Sequence, residues 1–131
     1  MPPIINSFKD SRLVWDQGVP DHTVGKDGEL LVLPMPELDY WSRSFYSPLL
    51  VKVDAETLIA EVDSSAEATL TTAFTLSPKL QFDQAGIMVK VSDRCWVKAG
   101  IEYTDGVPLL SCVVKNNGYS DWSTQTWELS P

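Results

Sequence analysis

The sequence predicts an all-β sandwich, and three observations carry that expectation. Apolar and polar residues alternate with period two in run after run. Turn formers punctuate those runs every ten residues or so. A helical period is hard to find anywhere; residues 55–59 make a turn at most. Many short alternating runs separated by turn signals are the pattern of a sandwich. The chain has 131 residues, 44% of them hydrophobic, which predicts a single ordered domain over residues 1–131.

The clearest run is residues 82–123. Its centre, Thr104-Asp105-Gly106-Val107, places Asp-Gly between two alternating stretches, the strongest short-range hairpin signal. A two-residue turn there sets Val97 opposite Val114, Ala99 opposite Cys112, Ile101 opposite Leu110 and Tyr103 opposite Pro108. That apolar set is expected to face the core. The other face then carries Trp96, Lys98, Gly100 and Glu102 against Lys115, Val113, Ser111 and Leu109. A slip of one residue would mix the sets, so the pattern itself supports the register. Before it, a turn at Ser92-Asp93-Arg94 sets Val91 opposite Cys95, Val89 opposite Val97 and Ile87 opposite Ala99. After it, Asn116-Asn117-Gly118 marks another turn, leading into 119–127.

The rest of the chain reads as follows. Residues 1–11 form an irregular lead-in, and 13–15 a short strand. Residues 16–29 are polar and rich in turn formers, which predicts a surface loop holding a solvated His22. Leu30–Leu33 is a strand. Residues 38–46, dense in aromatics, alternate with Asp39, Trp41, Arg43 and Phe45 on one side. They serve either as a core strand with an Asp39–Arg43 pair or as an aromatic wall with an arginine for a polar ligand. Strands follow at 49–53, 58–62 and 66–76, the last with threonines on its exposed face.

Charge limits the partners. A net charge of −8 and a pI near 4.4 leave no basic footprint for nucleic acid and no attraction to an anionic membrane. No apolar run approaches the ~20 residues of a membrane span. The N-terminus lacks the basic-then-apolar order of a secretory signal. Cys95 and Cys112 share the expected core face about 13 Å apart along the sheet, from ~3.3 Å per residue, too far for a disulfide. Two buried thiols fit a reducing, cytoplasmic setting.

Chemistry is sparser than fold. No Cys/His spacing fits zinc, and no phosphate loop, dinucleotide fingerprint, calcium loop or nucleophile motif is present. No metal, cofactor or catalytic residue is therefore expected. A glycosidase needs two carboxylates across a groove, and Glu102 is the one that can be placed on the polar face. Trp96-x-Lys98-x-Gly100-x-Glu102 stands out, because alternation puts an aromatic plane, a cation and an anion on one face. Gly100 leaves room for a ligand or another backbone to approach. Such a face can stack on a sugar ring and hydrogen-bond its hydroxyls. The candidate ligand-binding residues are Trp41, Arg43, Trp96, Lys98, Glu102, Ser111 and Asp121.

Asp83-Gln84-Ala85-Gly86-Ile87-Met88-Val89, Trp96 to Tyr103 and Ser120-Asp121-Trp122-Ser123, with Asp39-Tyr40-Trp41 and Arg43 upstream, resemble the DUF1349 family over most of residues 8–127. The resemblance implies a concanavalin A-like β-sandwich, or jelly roll, a fold shared with lectins and glycosidases. The family includes a yeast protein described as a regulator of enolase, which implies a link to carbohydrate metabolism and fixes no mechanism. Carbohydrate recognition is the leading expectation. A protein-interaction or regulatory module is second, and a glycoside hydrolase is the weakest. Family members continue past the Ser-Asp-Trp-Ser segment with further strands. A sandwich shortened at its C-terminus is therefore expected, with an exposed strand edge that invites self-association or a protein partner.

Overall fold

The computed structural model describes residues 4–43, 47 and 50–127. The chain is all-β and antiparallel, with no helix among those residues. Its ten strands are β1 (Val14–Asp16), β2 (Asp21–Val24), β3 (Leu30–Leu33), β4 (Tyr40–Ser42), β5 (Val51–Val53), β6 (Thr57–Ile59), β7 (Gln84–Ser92), β8 (Cys95–Thr104), β9 (Val107–Asn116) and β10 (Tyr119–Thr126).

Two compact units divide the chain, one of Met1–Tyr40 with Lys52–Leu70, the other of Trp41–Val51 with Thr71–Pro131. The first unit contains two short ribbons, β1 with β6 and β2 with β3. Strand β2 lies inside the stretch read as a surface loop. Its sequence Asp-His-Thr-Val lacks alternation and is held by backbone pairing to the apolar β3. His22 is solvent-exposed, with its Nδ1 2.8 Å from the Pro20 carbonyl and its ring tilted on Trp15. Strand β4 pairs with β5.

The second unit is built on a four-stranded sheet in the order β10-β9-β8-β7. The Asp-Gly hairpin has the register its alternation predicts, with Val97 opposite Val114 and Tyr103 opposite Pro108. Asp105 and Gly106 take φ of 52° and 83°, and Asn117 and Gly118 take 50° and 87°. Positive φ at both central residues is the turn whose twist matches a hairpin. Between β7 and β8, Val89 faces Val97 and Ile87 faces Ala99 as expected, but Cys95 faces Ser92 because the ladder shifts between Lys90 and Ser92.

The predicted burial of the two faces is reversed. Val89, Val97 and Val114 are exposed, and Val91 is 81% exposed. On the other face Trp96 and Val113 are each only 2% exposed. Alternation separates two faces but does not say which one the chain covers. Here Ser42 lies against the Trp96 side. Its backbone N–H donates to Ser120 Oγ at 2.9 Å, and its hydroxyl donates to the Gly118 carbonyl at 2.7 Å.

Two other expectations change. Residues 66–76 alternate like a strand yet form none, and Leu70 and Phe74 stand exposed. The alternation of 38–46 ends at Arg43, whose φ of 68° turns the chain out of extended geometry; residues 44–46 lie outside the described residues. Asp39 does not pair with Arg43 in the described bonds. Its carboxylate accepts from the Tyr40 backbone, and its own N–H donates to Asp54.

Candidate functional site

Trp96, Lys98, Glu102 and Ser111 share the covered face of the four-stranded sheet. They lie in successive rows, because β8 contributes every second residue and Ser111 sits opposite Gly100. Trp122 joins them from β10, opposite Val113. A hydrogen-bond relay links three of these groups. The Trp122 indole N–H donates to Ser111 Oγ at 3.1 Å, and the Ser111 hydroxyl donates to Glu102 Oε2 at 2.7 Å. A hydroxyl has one proton and two lone pairs, so Ser111 can take both roles at once. Glu102 is 6% exposed. A charge that deep is tolerable only with such partners.

Lys98 reaches along the sheet to β7, where its ammonium donates to Gln84 Oε1 at 3.1 Å. Gln84 lies opposite Glu102. Between the Lys98 and Gln84 rows lies the facing pair Gly86 and Gly100. A Cβ on Gly86 would stand 2.1 Å from the Ala99 carbonyl oxygen, and one on Gly100 2.0 Å from that of Ala85. Gly100 is therefore required by the neighbouring backbone, one of the two approaches that the sequence allowed.

The remaining candidates separate from this cluster. Asp121 lies opposite Val114 and is exposed on the other face. Arg43 is exposed too, its guanidinium carbon 5.5 Å from the centre of the Tyr119 ring. Trp41 is buried, next to the Ser42 that binds Ser120 and Gly118. Trp96 is covered, so its ring offers no open plane for stacking. The half-buried aromatic surface is Trp122 instead, with Phe82 edge-on at 6.2 Å. Trp122 lies in the Ser120-Asp121-Trp122-Ser123 motif, directly beside the candidate Asp121. The Asn117-Gly118 turn carried the missing signal, because counting outward from it puts Trp122, not Asp121, on the Trp96 face. Gln84 was missed because only the pairing of β7 brings it beside Glu102.

Asp83 uses Oδ2 to accept from the Lys79 and Leu80 amides, which closes the turn into β7. No group of three His, Cys, Asp or Glu side chains able to hold a metal occurs among the described residues. Cys95 and Cys112 are free thiols, both half-buried. No helix among the described residues is long and apolar enough to cross a membrane.

The family model described as "Protein of unknown function (DUF1349)" matches residues 15–130. The chain belongs to the DUF1349 family. One relative, "Regulation of enolase protein 1" of Saccharomyces cerevisiae, is 39% identical over 95 residues, covering 68% of this chain and 42% of that protein. An uncharacterized protein of Emericella nidulans is 31% identical over 99 residues, covering 72% of this chain and 48% of its own length. The chain thus spans less than half the length of either relative. No solved structure matches the chain.

Proposed function

We propose that this DUF1349 domain binds a carbohydrate, without catalysis, on the Trp122/Ser111/Glu102/Lys98/Gln84 face. The Trp122–Ser111–Glu102 relay carries the reading. It fixes an aromatic ring and a carboxylate together, the pairing by which a sugar's apolar face and its hydroxyls are recognised. Lys98 and Gln84 add a donor and an amide on the same face. The non-catalytic part rests on carboxylate placement. Glu102 is the sole carboxylate on this face of the four strands, while Asp121 lies on the other face and Asp83 is engaged in its turn. A hydrolase would need a second carboxylate across the groove. The half-buried thiols fit a reducing, cytoplasmic compartment.

Glycan-array screening, followed by calorimetry on the hit, tests this reading. Trp122→Ala and Glu102→Gln should each abolish binding of the same glycan. An array with no hit, or a hit indifferent to both changes, would sink it.

A second reading has its own observation. The exposed Val89, Val91, Val97 and Val114 form an apolar strip on the opposite face, and such strips mark protein-interaction sites. With a relative named for regulation of enolase, this supports a regulatory module that docks on a metabolic enzyme. Enolase captured by the purified chain, retained by Trp122→Ala and lost with Val97→Asp, would select this reading over the first.

A further inference from the structure

Glu102, the carboxylate proposed to bind a sugar, is 6% exposed, so a ligand needs a way in. The contact between Phe82 and Trp122 marks where it lies. Trp122 stands on β10. Phe82 continues the line of β7, its N–H donating to the Tyr103 carbonyl of β8 at 2.7 Å. Those are the lines of the two outer strands of the sheet, with β9 and β8 between them. A strand spacing of ~4.8 Å puts them about 14 Å apart. Yet the two rings meet, with centroids 6.2 Å apart and planes at 81°. Trp122 is bonded to Ser111, so they meet over the covered face. The pair is therefore an arch across β8 and β9. On that face the crossed strands carry Glu102, Thr104 and Ser111.

Thr104 is 8% exposed, and its hydroxyl is buried without a hydrogen-bond partner among the described residues. Nothing there offsets the loss of its water, so it calls for a partner. Phe82 is 37% exposed and takes a φ of 70°. Left-handed backbone is rare for a bulky side chain and persists where its surroundings over-determine it. Here the turn is locked to the β8–β9 hairpin. The Tyr103 N–H donates to the Asp83 carbonyl at 2.8 Å. The Asp105 N–H donates to Gln81 Oε1 at 2.8 Å, and Gln81 Nε2 donates to Asp105 Oδ1 at 3.1 Å. The Phe82 backbone is thus fixed, while its ring has no polar atom to tie it down. Swinging that ring outward forfeits the edge-on contact with Trp122, a factor of about twofold to tenfold in population.

We infer that Phe82 is the lid of the sugar site and Thr104 a ligand-binding residue beneath it. The ring swings off Trp122, the indole receives the C–H face of the sugar, and a sugar hydroxyl bonds the Thr104 hydroxyl. The inference rests on the carbohydrate reading and adds to it a way in and a further contact. A lid that is mostly closed lowers the apparent affinity by the open fraction, so removing the ring tightens binding.

The test uses the purified chain with Phe82→Ala, Phe82→Gly and Thr104→Val. Glycine suits the positive φ, so Phe82→Gly removes the ring and relieves the turn. Hydrogen exchange of the Trp122 indole proton, assigned by its loss in Trp122→Phe, reads the cover without any ligand. Calorimetry with glucose, galactose, mannose and N-acetylglucosamine reads binding. Both Phe82 variants should speed the indole exchange and bind a sugar about twofold to tenfold more tightly. Thr104→Val should weaken binding by about the same factor, the worth of one hydrogen bond. Unchanged exchange overturns the lid and leaves carbohydrate binding standing. Faster exchange with equal or weaker binding makes Phe82 a wall of the site and also ends the lid. Unchanged affinity in Thr104→Val removes Thr104 from the site. No sugar bound by any form overturns the carbohydrate reading and the role of Thr104; faster exchange then leaves Phe82 as a cover alone. Loss of the fold in both Phe82 variants makes the residue structural and ends the proposal.

Discussion

Ser111 carries more than its size implies. Its hydroxyl joins Trp122 to Glu102. Ser111→Ala removes a donor from a buried carboxylate and an acceptor from an indole, so about 1–3 kcal/mol of stability should be lost. Urea titration followed by tryptophan fluorescence would read this as a lower midpoint with an unchanged slope; an unmoved midpoint would mean that water replaces the hydroxyl. At this scale the sequence was legible where period two applied. Trp96, Lys98, Glu102 and Ser111 fall on one face as alternation requires. It was illegible for Asp121 and Arg43. Asp121 neighbours the tryptophan that belongs to the face, and Arg43 itself takes a φ of 68° that no alternation rule foresees.

Among the elements, β7 and β8 depend on their glycine pair. Gly86 and Gly100 face each other so closely that either Cβ would meet the partner strand's backbone. Gly86→Ala should force the two strands apart at that row, at a cost of about 1–3 kcal/mol, as overpacking usually exacts. Thermal unfolding would show a fall of several degrees, and an unshifted transition would mean that the ladder yields freely. The hairpins themselves were readable, because Asp105-Gly106 and Asn117-Gly118 announce turns that only positive φ can close. Residues 66–76 show the limit of such reading. Their threonine alternation describes a side chain that fits a pleat, but a strand also needs a partner edge, and a single segment cannot reveal one.

For the whole molecule, surface chemistry sets solution behaviour. Val91, Val89, Val97 and Val114 are open to solvent on one sheet face, while a net charge of −8 keeps copies of the chain apart. That protection is lost as the pH falls toward the pI near 4.4, where carboxylates take up protons. Light scattering should therefore rise between about pH 6 and the pI, on carboxylate pKa values of roughly 4. Val91→Thr with Val97→Thr should suppress that rise without lowering the melting temperature. Equal scattering by the double variant would place the association elsewhere. Which face the chain covers was the part of the fold that patterning could not decide, since both faces carry a consistent set of residues.

The order β10-β9-β8-β7 joins each strand to its neighbour in sequence, and the two glycine turns close β8–β9 and β9–β10 with two residues each. Pairings this local bring little loop-closure entropy, so the sheet is suited to form early on the folding pathway. The Asp105-Gly106 turn is then expected to be formed in the transition state. Gly106→Ala, strained at a φ of 83°, should slow refolding in stopped-flow mixing and leave the unfolding limb of the chevron nearly unchanged. Amide protons of β8 and β9, with a strand on either side, should exchange last. A substitution that accelerates unfolding alone would instead make this hairpin a late addition, with nucleation elsewhere in the chain.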